Sequence, residues 1–184
     1  WRRFNVIFTQ DESSSELLKS RGIGSVVAGD PRADRVLQIA VESTPLSDLK
    51  NWKGNSKLVL AGSSWPEEEG ALASLNWDKN IKLIIAPHHI DESNIDRILG
   101  IFPNSSRYSS GDLATSVVII DSIGILSSLY ALADLAVIGG GFNSGLHNVL
   151  EPSAFGVPSV SGPNIRRFRE AGCLRDISAL YISK

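Results

Sequence analysis

Short apolar runs recur along the chain, and polar stretches with helical composition lie between them. Apolar runs bounded by glycine, proline or polar residues are typical of buried strands. We predict strands at 4–9, 25–28, 57–61, 82–86, 117–120, 135–138, 157–160 and 179–182. Capping residues, acidic first turns and helix-compatible composition predict helices at 11–20, 34–42, from 67, and at 91–99, 125–133, 149–155 and 164–172.

This alternation of strands and helices predicts an α/β fold, with a parallel sheet and helices on both of its faces. The segment 43–54 is polar and is broken by Pro45, so we predict a connection there. In a sheet of this kind, ligands bind outside the carboxyl ends of the strands. We therefore expect any binding site to lie at that edge.

Polar loops follow four of the predicted strands, at 62–65, 87–89, 121–124 and 139–148. The last contains Gly139, Gly140 and Gly141, and the helix predicted after it has Glu151 and Pro152 in its first turn. The N–H groups at a helix start can bind an anion, so this turn is a candidate phosphate site. The alternative is that the glycines only form a tight turn.

Composition narrows the class of protein. The chain has 184 residues, of which 42% are hydrophobic, and this suits one domain with a proper core. A net charge of −2 gives no sign of a nucleic-acid surface. The single cysteine, Cys173, excludes an internal disulfide, and we expect it to be a small buried apolar residue. No apolar run approaches the ~18 residues of a membrane span.

The chain begins at Trp1 and contains no methionine. We interpret it as a fragment cut at a domain boundary, with residues 1–184 forming one domain. Any targeting or membrane segment would then lie in the missing part.

Several side chains allow more than one interpretation. Adjacent His88 and His89 point opposite ways in an extended segment, so they are poorly placed to share a metal, and a site with His147 would lack an HExxH motif.

Arg32 either clamps a phosphate or carboxylate, or is a surface arginine. We expect Trp65 to be a core residue. Arg166, Arg167 and Arg169 would form the solvated face of the helix at 164–172.

The loops together resemble one known family. The segments are GDPRADRV (29–36), AGSSWPEEE (61–69), APHHI (86–90), IIDSIGILSSLYALADLAVIGGGF (119–142), GLHNVLEPSAFGVPSVSGPN (145–164) and FREAGCL (168–174). They resemble the 3-deoxy-D-manno-octulosonic acid (Kdo) transferases, in order and over nearly the whole chain. The similarity is to the Rossmann-like C-terminal half of this family's two-domain GT-B glycosyltransferase fold.

The resemblance implies an inverting transferase that moves Kdo from CMP-Kdo to a lipid A precursor in lipopolysaccharide synthesis. It implies no metal and no cofactor besides the donor substrate, and a place at the cytoplasmic face of the bacterial inner membrane. The catalytic base, the acceptor site and any membrane contact would belong to the N-terminal domain missing from this chain. We therefore expect a soluble fragment that binds the donor weakly and does not catalyse transfer.

The resemblance also implies roles for particular residues. The family's CMP contacts correspond here to Pro87, His88, Ile123, Gly124, Ile125, Asn148, Val149, Leu150 and Glu151. The basic residue ascribed to transition-state stabilisation corresponds to Arg32. An arginine near the departing CMP phosphate would stabilise its growing charge. Glu151 would repel a phosphate, so we assign it to the ribose hydroxyls. Further candidate donor contacts are Ser63, Ser64, Gly140 and Gly141.

The sequence departs from the family pattern at several positions. Many members have PHE or PRH-like sequences at 87–89 and Glu at the position of Ile125, and Ala33 replaces the usual aromatic residue. Three other functions stay open: a GT-B glycosyltransferase or epimerase with another nucleotide sugar, a dinucleotide oxidoreductase, and a binding module. The oxidoreductase lacks support, because the chain has no GxGxxG motif.

Overall fold

The structure is a computed structural model that describes residues 3–143 and 145–183. Its strands are β1 (Phe8–Thr9), β2 (Val26–Val27), β3 (Lys57–Ser64), β4 (Ile81–Pro87), β5 (Ser105–Arg107), β6 (Val117–Ile119), β7 (Leu135–Ile138), β8 (Ser159–Ser161) and β9 (Leu180–Ile182). Its helices are α1 (Glu12–Lys19), α2 (Pro31–Glu42), α3 (Ser47–Lys53), α4 (Pro66–Ala73), α5 (Glu92–Ile101), α6 (Leu126–Tyr130), α7 (Leu150–Ala154) and α8 (Arg169–Asp176).

A seven-stranded parallel sheet with the order β5-β6-β4-β3-β7-β8-β9 forms the centre of the molecule. The predicted α/β fold is therefore confirmed. β1 and β2 pair with each other in a separate parallel sheet. After β6 the chain crosses to the other side of β3 to form β7, so the strand order reverses between β3 and β7. Open α/β sheets bind ligands at such a switch point.

Helices cover both faces of the large sheet, which is why its central strands are apolar without alternation. Leu58 and Leu60 of β3 face a core cluster that includes residues of α3, α6 and α8. Val59 and Ala61 of the same strand face the opposite cluster, which is covered by α4 and α5. The loops at the strand ends are therefore the part of the sheet that a ligand can reach.

Short polar side chains start the longer helices. Asp11, Asp30 and Asp91 accept backbone hydrogen bonds at the first turns of α1, α2 and α5. Pro31 and Pro66 occupy first helical positions, where no N–H is needed. These signals explain why most helix starts were predicted within a few residues.

Two predictions about elements were wrong, and one strand was missed. The segment 43–54 contains α3, because Leu49 and Trp52 lie one turn apart and are both buried. The edge strand β5 was missed, because its sequence is polar and its pairing to β6 uses the backbone. The last helix is not at 164–172 but at Arg169–Asp176, after an irregular loop.

Two strand ends approach so closely that only glycine fits. A Cβ on Gly139, directly after β7, would lie 1.9 Å from the carbonyl oxygen of Ser63 in β3. A Cβ on Gly141 would lie 2.5 Å from the backbone nitrogen of Gly162, beyond β8. The loops of β3, β7 and β8 are therefore packed backbone against backbone.

We expect Gly139→Ala to lower the free energy of unfolding by about 1–3 kcal/mol, because a rigid backbone oxygen blocks the new methyl group. Gly100→Ala in α5 is the matched control, since nothing lies within 4 Å of its Cβ position. That change should raise stability by about 0.5–1 kcal/mol. Urea denaturation of both variants measures this, and equal stabilities would contradict the close approach.

Candidate functional site

One pocket at the carboxyl edge joins three of the predicted loops. It has a volume of about 250 Å³ and is lined by Ser63 after the β3 bulge, Pro87 and His88 at the end of β4, and Ile123 and Gly124 before α6. Apolar side chains of Ile90, Ile120 and Leu126 complete its wall. The structure thus brings together five residues that the sequence predicted from separate segments.

A bulge at the end of β3 decides which serine faces the pocket. The register with β4 shifts between Gly62 and Ser64, and Ser63 has a φ of 51°. A positive φ is uncommon for a residue with a side chain. It places Ser63 at the pocket and turns Ser64 inward.

The prediction that Ser64 contacts a donor is wrong for this structure. Ser64 is 2% exposed. Its hydroxyl donates a hydrogen bond of 2.8 Å to Oε1 of Glu69. Glu69 is itself buried and forms an ion pair with Arg97. Ser64 therefore belongs to a buried hydrogen-bonded group beneath the pocket.

A second buried carboxylate lies beside the glycine loop, which comprises residues 139–141. Glu68 is 1% exposed, and its Oε2 accepts the backbone N–H of Trp65 at 3.0 Å. Its Oε1 is buried without a hydrogen-bond partner among the residues the structure describes. Burial raises the pKa of Glu68 above its ordinary value. This carboxylate holds the start of α4 in place.

All three histidines of the chain gather around Trp65. The indole stacks on His88 at 4.9 Å between ring centroids and meets His89 edge-on at 5.2 Å. His147 lies 4.5 Å from His88. The expectation that Trp65 is a core residue was wrong, because the ring is half-buried at the carboxyl edge.

His147 is fixed as a neutral hydrogen-bond acceptor. The Trp65 Nε1–H donates to its Nε2 at 2.9 Å. Indole can only donate, so Nε2 must lack a proton. Burial, followed by the nearby His88, lowers the pKa of His147. Burial and His89 likewise lower the pKa of His88.

Most polar side chains at the start of α7 form hydrogen bonds within the protein. Asn148 Oδ1 accepts the Leu150 N–H at 3.0 Å, and its Nδ2 donates to Glu151 Oε1 at 2.9 Å. Ser127 of α6 donates to Glu151 Oε2 at 3.2 Å. α7 has five residues, and Asn148 already accepts its Leu150 N–H, so the anion site predicted at this helix start stays a prediction without support from this geometry.

Four further residues of the predicted site are buried or half-buried, and their contacts with a donor stay predictions. Val149 is 1% exposed, so its side chain belongs to the core. Ile125 is half-buried before α6. Gly140 and Gly141 are buried, with Gly140 against Gly145 and Gly141 against Gly162. Their close packing explains the glycines without a ligand. Ser144 of this loop lies outside the described residues.

Arg32 lies at the start of α2 and is held by two carboxylates. Its guanidinium forms ion pairs with Asp30 at 2.6 Å and Glu170 at 3.1 Å. A pocket of about 320 Å³ beside it is lined by Ala33 and by Leu150 of α7, among others. Arg32 is therefore engaged by carboxylates of the α2 start and of α8 in this structure.

Cys173 was expected to be buried, but it is exposed and lines this same pocket. Cys173 lies inside α8, which begins later than predicted. Over the described part of the chain, no three His, Cys, Asp or Glu side chains are grouped to hold a metal. Within those residues, no helix is long and apolar enough to cross a bilayer.

The order of the parallel strands is that of a Rossmann-like domain. Solved glycosyltransferases of the GT-B class contain the same kind of domain. Trehalose 6-phosphate synthase from Burkholderia multivorans shares this fold, with a TM-score of 0.56 at 13% identity over 98% of this chain and 48% of that one. No protein-family model matches the sequence.

Sequence identity is higher to the members of one family. The crystal structure of the C-terminal CMP-Kdo binding domain of WaaA from Acinetobacter baumannii is 30% identical and covers 82% of each chain, with a TM-score of 0.64. The 3-deoxy-D-manno-octulosonic acid transferase of Chlamydophila psittaci is 36% identical over 124 residues, which is 61% of this chain. The chain belongs to the 3-deoxy-D-manno-octulosonic acid transferase family. It spans 28% of the length of the Chlamydophila relative.

The Trp65–His147 hydrogen bond predicts a titration behaviour. His147 should titrate below the ordinary histidine value of 6.5, because protonating Nε2 breaks the bond. We expect Trp65→Phe to raise this pKa, as followed by NMR of the imidazole protons. Because the folded state favours the neutral ring, the free energy of unfolding should decrease as the pH falls below about 6.5.

Trp77→Phe is the control for this experiment, since Trp77 donates to the Leu72 carbonyl and is not part of the ring cluster. A His147 that titrates at 6.5 or above in the wild type would contradict the hydrogen bond.

Proposed function

We propose that this chain is the donor-binding domain of a transferase that moves Kdo from CMP-Kdo to a lipid A precursor in lipopolysaccharide synthesis. The observation that carries the proposal is the edge pocket, where Ser63, Pro87, His88, Ile123 and Gly124 meet at the carboxyl edge beside the switch point. The family membership of the chain supports the choice of donor.

The edge pocket suits a nucleoside base. Its wall is mostly apolar, with Ser63, Ser122 and His88 as the side-chain polar groups. Binding sites for small planar ligands combine apolar walls with a few oriented polar groups. We assign the cytosine to this pocket, with backbone groups of Gly124 and Ile125 as further contacts.

Glu151 is proposed to bind the ribose. Ser127 and Asn148 hold its carboxylate between α6 and α7, close to the start of α6 that lines the pocket. A carboxylate accepts hydrogen bonds from hydroxyl groups and repels a phosphate. Asn148 and the backbone of Val149 and Leu150 would complete this contact.

Arg32 is proposed to stabilise the phosphate as CMP leaves. Charge grows on that phosphate when the sugar bond breaks, and a guanidinium aimed at it lowers the barrier. Arg32 would first have to exchange a carboxylate partner for the phosphate, because Asp30 and Glu170 hold it now. The mechanism would need no metal and no cofactor besides the donor.

The rest of the reaction is proposed to depend on chain outside residues 1–184, since the relatives are longer. We place the catalytic base, the acceptor site and contact with the inner membrane there. Transfer would invert the anomeric carbon. Residues 1–184 alone would bind the donor without catalysing transfer.

Calorimetric titration with CMP, UMP and NAD tests the donor class. We expect preference for CMP, and about tenfold weaker CMP binding in Glu151→Ala and in Arg32→Ala, because each loses a charged hydrogen-bonding group. Arg35→Ala is the control for Arg32, since Arg35 is an exposed arginine of the same helix that bonds to Gln38.

Preferred binding of UMP or NAD would overturn the proposal. If no nucleotide bound, the same titration on the full-length enzyme would decide whether the missing chain is needed to complete the site.

A further inference from the structure

A second cavity lies on the same edge, on the other side of the glycine loop. It has a volume of about 610 Å³, and its lining includes Asn143, Gly145, Asn164, Arg166, Arg167 and Phe168. None of these residues was predicted to bind the donor. Arg166 and Arg167 belong to the irregular loop before α8, so the expectation that they form a solvated helix face was wrong.

The glycine loop connects the two pockets. Gly139 packs against Ser63, which lines the edge pocket. The N–H of Gly145, which lines the second cavity, donates to the Gly140 carbonyl at 3.2 Å. The Asn164 N–H donates to the Gly141 carbonyl at 2.9 Å. Residues 139–141 therefore contact the lining of both pockets.

The cavity carries two arginines that have no carboxylate partner among the described residues. Arg166 and Arg167 are exposed, and neither side chain forms an ion pair or hydrogen bond with another described residue. Arg32, Arg97, Arg107, Arg169 and Arg175, by contrast, each pair with a carboxylate. The carboxylate of Glu67 approaches the cavity lining but accepts a hydrogen bond from Asn143 at 3.2 Å.

We propose that Arg166 and Arg167 bind the carboxylate of the sugar acid in the donor. This inference rests on the proposed function. In a nucleotide sugar the phosphate lies between nucleoside and sugar. With the nucleoside in the edge pocket, the phosphate lies near the glycine loop and the sugar in the second cavity.

The chemistry of the lining fits a sugar acid. A guanidinium binds a carboxylate through two parallel hydrogen bonds, which a neutral sugar could not accept in the same way. Asn164 also lines the cavity; its Nδ2 donates to the Asn143 carbonyl at 3.2 Å, and its amide oxygen can accept a hydrogen bond from a sugar hydroxyl. The arginine pair would thus select a donor that carries an acid over one that carries a neutral sugar.

The test compares three ligands on the wild-type chain and on the double variant Arg166→Gln/Arg167→Gln. Cytidine reports the nucleoside contact, CMP adds the phosphate, and CMP-Kdo adds the sugar acid. We expect the double variant to bind CMP-Kdo about tenfold more weakly, while its affinities for CMP and cytidine stay within about twofold. Calorimetry measures all three.

The control is Arg3→Gln/Arg21→Gln, which removes the same charge from two exposed arginines outside the cavity. It should leave the affinity for CMP-Kdo unchanged. Both double variants change exposed side chains, and their unfolding midpoints verify that the fold is kept.

Equal weakening of CMP and CMP-Kdo would assign the arginines to the phosphate and overturn the proposal. Unchanged binding of CMP-Kdo would also overturn it, while leaving the proposed function intact. Absence of CMP binding to the wild-type chain and to the full-length enzyme would instead overturn the proposed function, and this inference with it.

Discussion

The site depends on the close approach of β3 and β7, which are distant in the chain and adjacent in the sheet. The Gly139 N–H donates to the Gly62 carbonyl at 3.0 Å, and the Cα of Gly139 lies against the Ser63 backbone with no room for a Cβ. A side chain at Gly139 would push the two loops apart. The bulge that presents Ser63 to the edge pocket would move with them. The glycine is thus a structural condition for the site, whether or not it touches the donor.

A second constraint comes from buried polar side chains that lie beneath the carboxyl edge of the sheet. Ser64, Glu69 and Arg97 form a buried chain of contacts, and Glu68 fixes the turn before α4. Buried carboxylates are costly unless they are paired, and Glu68 is only partly satisfied among the described residues. Burial raises the pKa of Glu68, and backbone hydrogen bonds from Trp65 and Gly140 act against that rise. These carboxylates lie directly beneath the loops that the proposed function uses.

The two pockets differ in chemistry, and the proposed donor would be divided between them accordingly. The edge pocket is mostly apolar and suits a planar base, whereas the second cavity is polar and positively charged. The glycine loop separates them at about the place where a phosphate would link nucleoside to sugar. Arg32 lines neither pocket and is paired with Asp30 and Glu170. In the proposed reaction it would respond to the charge that grows on the phosphate.

The sequence by itself determined the fold class, most strands and the loops that form the edge pocket. Apolar runs and capping residues are local signals, and parallel strands place their carboxyl ends on one edge whatever their order. It did not reveal α3 or β5, whose stability comes from burial of Leu49 and Trp52 and from backbone pairing. Only the tertiary structure turned Ser64 inward, joined Trp65 to His147 and placed Arg166 and Arg167 in a cavity. Those outcomes depend on a one-residue bulge and on contacts between residues far apart in the chain, which no local pattern encodes.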